Sequence, residues 1–151
     1  MRYKIEKGNH FANFTLNRLF PFSGSKRSGK VRFSKECLTK GEIDGWNKLT
    51  GISSKEIHTD SGRLVWRSDG EKILIAGYVY ERGERKETLI TSVLTDVWYN
   101  YKVEYKNHYW KLSIAGKEVI MYGHLKGLKF KCYPYFGGQS TAPETMYIWL
   151  S

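Results

Sequence analysis

Apolar and polar residues alternate with a period of two along most of the chain, which places successive side chains on opposite faces of a strand. Arg2 to Lys7 puts Tyr3 and Ile5 on one face, and Lys30 to Glu36 puts Val31 and Phe33 inward with Arg32 and Ser34 outward. Runs of the same kind cover Trp46 to Ser53, Arg63 to Arg67, Lys72 to Glu81, Glu87 to Val93, Trp98 to Tyr105, Tyr109 to Ala115, Glu118 to Tyr122, Lys129 to Tyr135 and Met146 to Leu150. Turn signals such as Ser68-Asp69-Gly70, Arg82-Gly83-Glu84 and Ala115-Gly116-Lys117 separate them. The best-defined piece is a meander from Trp98 to Tyr122, which turns at Lys106-Asn107-His108 and again at Gly116. No window of about eleven residues carries a 3.6-residue period, so little helix is expected.

This pattern predicts an all-β fold, a two-sheet antiparallel β-sandwich forming one domain over residues 1–151. Both ends read as strands, and a closed sandwich would pair them, bringing Tyr3 and Ile5 near Tyr147, Ile148 and Trp149. The one linker-like segment, Phe22 to Lys30, reads as a mobile basic loop, with Lys26, Arg27 and Lys30 as its contact residues.

Composition narrows the function only a little. The 25 Lys and Arg residues against 15 Asp and Glu give a net charge of +10, which attracts acidic polymers or an acidic protein surface. Cys37 and Cys132 are too few for a disulfide framework and lack metal-site spacing, so a reducing compartment is expected, with no metal and no cofactor. The first ten residues hold no apolar signal core, and no run is long enough to span a membrane. The expected location is therefore a cytoplasm or a virion.

Several motifs invite chemistry and are weighed by what else the chemistry needs. Gly24 to Lys30 fits GxxxxGK, but Val31 replaces the magnesium-binding hydroxyl and a strand follows where a helix is required, so nucleotide binding is not expected. Glu42 and Asp44 fall two apart in an extended segment, as a glycosidase pair would, although a loop is the simpler reading. His10, His58, His108 and His124 have no metal spacing. Of these, His58 stands near Ser61 and Arg63, joining a titratable base to a fixed cation, the set that proton abstraction beside a uronic acid carboxylate needs along with a tyrosine. Aromatic residues interleave with cations at Trp66, Tyr78 and Tyr80, read here as a shared ligand-binding face with His58 and Arg63. No RNA- or DNA-binding motif accompanies the positive charge.

Three segments carry a resemblance: Asp44 to Gly51, His58 to Trp66, and Tyr133 to Pro143 with its Tyr-Phe-Gly-Gly and Ala-Pro. Their order resembles small concanavalin A-like jelly rolls of the lectin, glucanase and polysaccharide-lyase superfamily, including single-domain proteins of Bacteroides-type bacteria and their phages. The resemblance implies two antiparallel sheets, one of them concave, used for glycans or as a structural module. Lyases of this superfamily carry a Gln or Glu, a branched residue and a His, matched loosely by Glu56-Ile57-His58, while their upstream arginine strand motif is missing and Gly137 replaces a lysine. The sequence therefore reads as a non-enzymatic surface-contact module, a phage virion or capsid-associated protein that contacts other subunits of an assembly and possesses glycan-binding capacity. The alternative is a small polysaccharide lyase acting on acidic glycans through His58, Arg63, Tyr133 and Tyr135.

Overall fold

The computed structural model describes residues 1–13, 20–39, 45–137 and 139–151. In chain order its strands are β1 (Arg2–Ile5), β2 (Lys26–Phe33), β3 (Asn47–Ser53), β4 (Ser61–Ser68), β5 (Ile73–Glu81), β6 (Glu84–Val93), β7 (Tyr99–Lys106), β8 (Tyr109–Ile114), β9 (Lys117–Tyr122), β10 (Phe130–Cys132) and β11 (Met146–Leu150). Among the described residues the only helical element is one 3-10 turn, Lys35–Cys37.

The strands form two antiparallel sheets, a six-stranded one ordered β1-β11-β2-β7-β8-β9 and a five-stranded one ordered β10-β3-β4-β5-β6. First and last strands pair as expected, with Tyr3 opposite Ile148 and Ile5 opposite Met146. The meander is also observed: Asn107 and His108 both take positive φ between β7 and β8, the two-residue geometry whose twist matches that of the flanking strands. Phe22 to Lys30 departs from its expected form. Strand β2 begins at Lys26 and is held by β7 from the Lys26–Glu104 pair onward, so Lys26, Arg27 and Lys30 are strand residues and not loop residues. The serines and glycines of this segment hid an alternation whose outward half is cationic and whose inward half includes a glycine.

The two sheets enclose an apolar core in which Phe33, Leu64, Trp66, Ile75, Trp110, Leu112 and Phe136 are fully buried. Each such side chain contributes roughly 2–3 kcal/mol relative to exposure. Trp110 on β8 packs directly over two glycines: a Cβ at Gly62 of β4 would lie 2.2 Å from its Cδ2, and one at Gly123 would lie 2.4 Å from its Cδ1. The absence of side chains at both positions is what admits the indole.

Gly62→Ala is therefore expected to destabilise the protein by about 3 kcal/mol, the upper part of the overpacking range. Gly70→Ala, at φ +95 with open space around it, should cost only about 1 kcal/mol of backbone strain. Urea unfolding of both variants checks the order; equal midpoints would mean that Trp110 reseats freely.

Candidate functional site

The outward face of the five-stranded sheet is ordered by strand register. Cys132, Gly51, Arg63, Tyr78 and Glu87 lie side by side across β10, β3, β4, β5 and β6. One step along, Ser53, Ser61, Tyr80 and Arg85 form the next row. In the other direction Lys48 pairs with Val65, and Tyr135 exchanges backbone hydrogen bonds with Lys48 at 2.8 and 3.0 Å. A bulge at Leu49 keeps Lys48 outward while Leu49 itself is fully buried.

Arg63 is the centre of this face. A Cβ on Gly51 would sit 2.7 Å from Arg63 Cγ, so the arginine stem lies across the bare glycine. The guanidinium lies 5.1 Å from the Tyr78 ring and 5.9 Å from the Tyr80 ring, and those two rings meet edge to face at 5.7 Å. Arg63 is only 4% exposed, yet its Nε and Nη2 have no hydrogen-bond partner. A buried cation is ordinarily paired, because an unpaired one costs several kcal/mol.

The surrounding groups add charge of the same sign. Lys48 Nζ donates to the Trp46 carbonyl at 2.8 Å and the Gly137 carbonyl at 3.4 Å. Burial, and then the charges of Arg63 and Arg85, push its ammonium down to about 8. Arg85 Nη1 donates to the Tyr78 hydroxyl at 3.4 Å. Burial, followed by the Tyr80 hydroxyl, holds the Tyr78 phenol above its ordinary range, so it remains a neutral donor. The acidic residue in register here is Glu87, exposed beside Arg85 at the outer strand.

Lys48 and Arg63 border a cleft of about 530 Å³, a size suited to a small ligand or one to two sugar rings. Its lining includes Lys48, Ser53, His58, Arg63, Lys131, Cys132, Tyr133 and Tyr135, with Phe11 at the rim. Tyr135 is clamped by His10, stacked at 5.3 Å and nearly parallel, and by the edge of Phe11 at 5.0 Å. His10 is itself fixed through Nδ1 to the Phe136 carbonyl at 2.9 Å. His58 is exposed on the opposite side, edge-on to Tyr80 at 5.4 Å.

Of the residues picked from sequence, His58, Arg63, Tyr133 and Tyr135 line this one cleft, and Tyr78 and Tyr80 pack against Arg63. Trp66 does not belong with them. It is fully buried between the sheets against Phe33 and Phe136, because it stands an odd number of positions from Arg63 on the same strand. Arg27 turns toward the sandwich end, where Nη1 donates to the Cys132 carbonyl at 2.9 Å, while Lys26 and Lys30 face away on the other sheet. Glu42 and Asp44 lie outside the described residues. Lys48, Gly51, Phe11 and His10 were not picked; a glycine inside a strand pattern was the available signal, since it marks a close approach.

Burial pushes the Cys37 thiol up to about 12 and raises that of Cys132 as well, so neither is a thiolate at neutral pH. Among the described residues no group of three or more His, Cys, Asp or Glu side chains is placed to hold a metal ion.

No family model and no curated protein matches the chain. Solved structures do. The catalytic domain of an endo-1,3-β-glucanase (laminarinase) from Thermotoga petrophila aligns over 99% of this chain and 73% of its own at TM-score 0.55 and 9% identity. Domains LG4-5 of the mouse laminin α1 chain align over 99% of this chain at TM-score 0.51 and 12% identity, and this chain spans 41% of their length. A Mycobacterium paratuberculosis protein, the Rv0315 ortholog, aligns over 99% of this chain and 80% of its own at TM-score 0.55 and 11% identity. At these identities the likeness concerns architecture, and the architecture is the jelly-roll sandwich of concanavalin A-like proteins.

Proposed function

We propose that this protein is a glycan-binding module whose cleft on the five-stranded sheet receives an acidic sugar, a uronate or similarly carboxylated ring. The observation that carries this reading is the buried guanidinium of Arg63, which lines the cleft, packs against tyrosine rings and has no hydrogen-bond partner at Nε and Nη2. A carboxylate entering the cleft beside this guanidinium would gain a charge-assisted interaction with a fixed cation. Lys48 supplies a second positive charge and the half-buried Tyr133 and Tyr135 supply amphipathic walls against which a sugar ring can pack. Compatibility of this fold with saccharides is illustrated by the laminarinase, an enzyme of 1,3-β-glucan.

The gathering of His58, Arg63, Tyr133 and Tyr135 around the same cleft favours a second reading, a lyase in which His58 takes the proton beside the neutralised carboxylate and a tyrosine protonates the leaving oxygen. The assembly role expected from net charge gains no support from the cleft.

Calorimetric titration with oligogalacturonate and with a neutral glucan of equal length tests the binding reading. The uronate should bind and the glucan should not, and Arg63→Gln should weaken uronate binding about 10- to 100-fold. Arg63→Met should melt at the same temperature as the parent or higher, since an apolar side chain removes an uncompensated buried charge. Retained affinity in Arg63→Gln would overturn the reading; release of an unsaturated uronate, abolished by His58→Ala, would convert it to the lyase.

The charge on Lys48 gives a pH signature. It is protonated below about 8 in the free protein, and a bound carboxylate would raise that value. Uronate affinity should therefore be level from pH 6 to about 7.5 and fall as pH rises through 8. Lys48→Met should remove the dependence; an unchanged fall in that variant would assign it elsewhere.

A further inference from the structure

Strands β1, β9, β10 and β6 end the two sheets, and three of these edges are closed or guarded. On β1 the Lys4 amide donates to Asn13 Oδ1 at 2.8 Å, and the Lys4 carbonyl accepts the Asn13 amide at 3.2 Å. Strand β10 is only three residues long, and its Cys132 carbonyl is taken by Arg27 Nη1 and Thr50 Oγ1. Strand β6 opens with Glu84-Arg85-Lys86-Glu87 and is bulged opposite the Ile75–Ala76 step, two features that keep an edge from pairing. The remaining edge, β9, has an unbroken register and no covering segment among the described residues. After Lys117 and Glu118 its side chains are Val119, Ile120, Met121 and Tyr122.

The turn before β9 fixes which of its backbone groups are free. Ala115 and Gly116 both take positive φ in a two-residue turn, so Ile114 and Lys117 exchange backbone hydrogen bonds, as do Leu112 with Val119 and Trp110 with Met121. The amides and carbonyls of Glu118, Ile120 and Tyr122 therefore point away from β8, and among the described residues none of them has a partner. The side chains beside these groups are apolar or aromatic and open: Ile120 is 59% exposed, Tyr122 49%, and Tyr109, the β8 neighbour of Tyr122, 49%. Such an edge is a template for a further strand.

We propose that β9 pairs with β9 of a second copy of this chain, antiparallel across a two-fold axis at Ile120, so that the two six-stranded sheets become continuous. Directly opposite residues share a face of the sheet, which requires the axis to pass through a residue and not between two. Placed at Ile120, it sets Ile120 against Ile120 and Glu118 against Tyr122 of the second copy, and every free amide of these residues meets a free carbonyl of the same set. No other axis pairs all of them, and this self-complementarity selects a second copy over a foreign strand. Charge agrees with this register: Glu118 arrives beside the Tyr122 ring, over which Lys86 Nζ stands at 5.7 Å while also holding Glu81. Ile120, Tyr109 and Tyr122 of the two copies then form one apolar strip across the seam.

Sedimentation of the intact chain from about 1 to 300 µM tests the proposal, since a contact of this size is weak. Mass should double toward the upper end, and the midpoint should move to lower concentration as salt rises from roughly 0.05 to 0.5 M, because two chains of charge +10 repel at low salt. Ile120→Lys places like charges on the axis at an exposed position; it should leave the melting temperature within about 2 °C and raise the dimer dissociation constant about tenfold or more. Leu89→Lys, the same change at a comparably exposed position on β6, should alter that constant less than about twofold. On the parent, the Ile120 amide should exchange about tenfold more slowly in the dimer than in dilute monomer, whereas the Met121 amide, already bonded to β8, should change little. A monomer at every concentration and salt, equal losses in the two variants, or an Ile120 amide unprotected in the dimer would overturn the proposal. Arg63→Gln should leave the dimer intact, which separates this seam from the cleft.

Discussion

The contact between Trp110 and the glycines at 62 and 123 constrains much of what lies around it. An indole filling the space of two absent side chains fixes how closely β4 approaches β8. It also fixes the parity of β4, since Gly62 must face inward and Leu64 and Trp66 follow it. Arg63 is then forced outward, onto Gly51 and between the tyrosines of β5. A one-residue slip would place a guanidinium in the core and Trp66 in solvent, so the packing of the inner layer and the position of the cleft cation are one constraint seen from two sides.

Strand identity was legible because half-buried antiparallel strands alternate cleanly, and the meander from β7 to β9 does so without interruption. The pairing of β1 with β11 followed from apolar alternation at both ends. Where the alternation was masked by composition it was misread: Lys26-Arg27-Ser28-Gly29-Lys30 looks like a basic loop because its outward residues are polar and an inward one is Gly29, whose missing Cβ accommodates Ser151 at 2.4 Å. Local pattern shows an alternation but does not reveal which half faces a distant partner.

The site shows the same limit. Arg63, Tyr78 and Tyr80 could be grouped because they lie near one another in sequence or alternate on one strand. Trp66 was grouped with them by composition and fails by parity. Lys48 and the Phe11–His10 clamp on Tyr135 arrive through a bulge and through a bridge joining residues far apart in sequence, and no local period encodes either. Asn47 likewise reaches across to Gly137, accepting its amide at 2.6 Å, and so ties β3 to the segment carrying Tyr135.

What distinguishes the cleft from ordinary surface is that its charges oppose stability. The lowered Lys48 ammonium means that the folded chain disfavours its proton relative to the unfolded chain, so this group costs stability below about pH 8 and ceases to do so as pH approaches the ordinary value of 10.5. Arg63 contributes in the same direction, being buried without a hydrogen-bonded partner at Nε and Nη2. Packing does not require either charge. Trp46, Val65, Ala76 and Tyr78 already form an apolar cluster on this face, and an aliphatic side chain at position 63 would extend it over Gly51. Two repelling cations held in a concavity, where an apolar residue would serve the fold better, are an arrangement whose stabilising partner is a ligand anion.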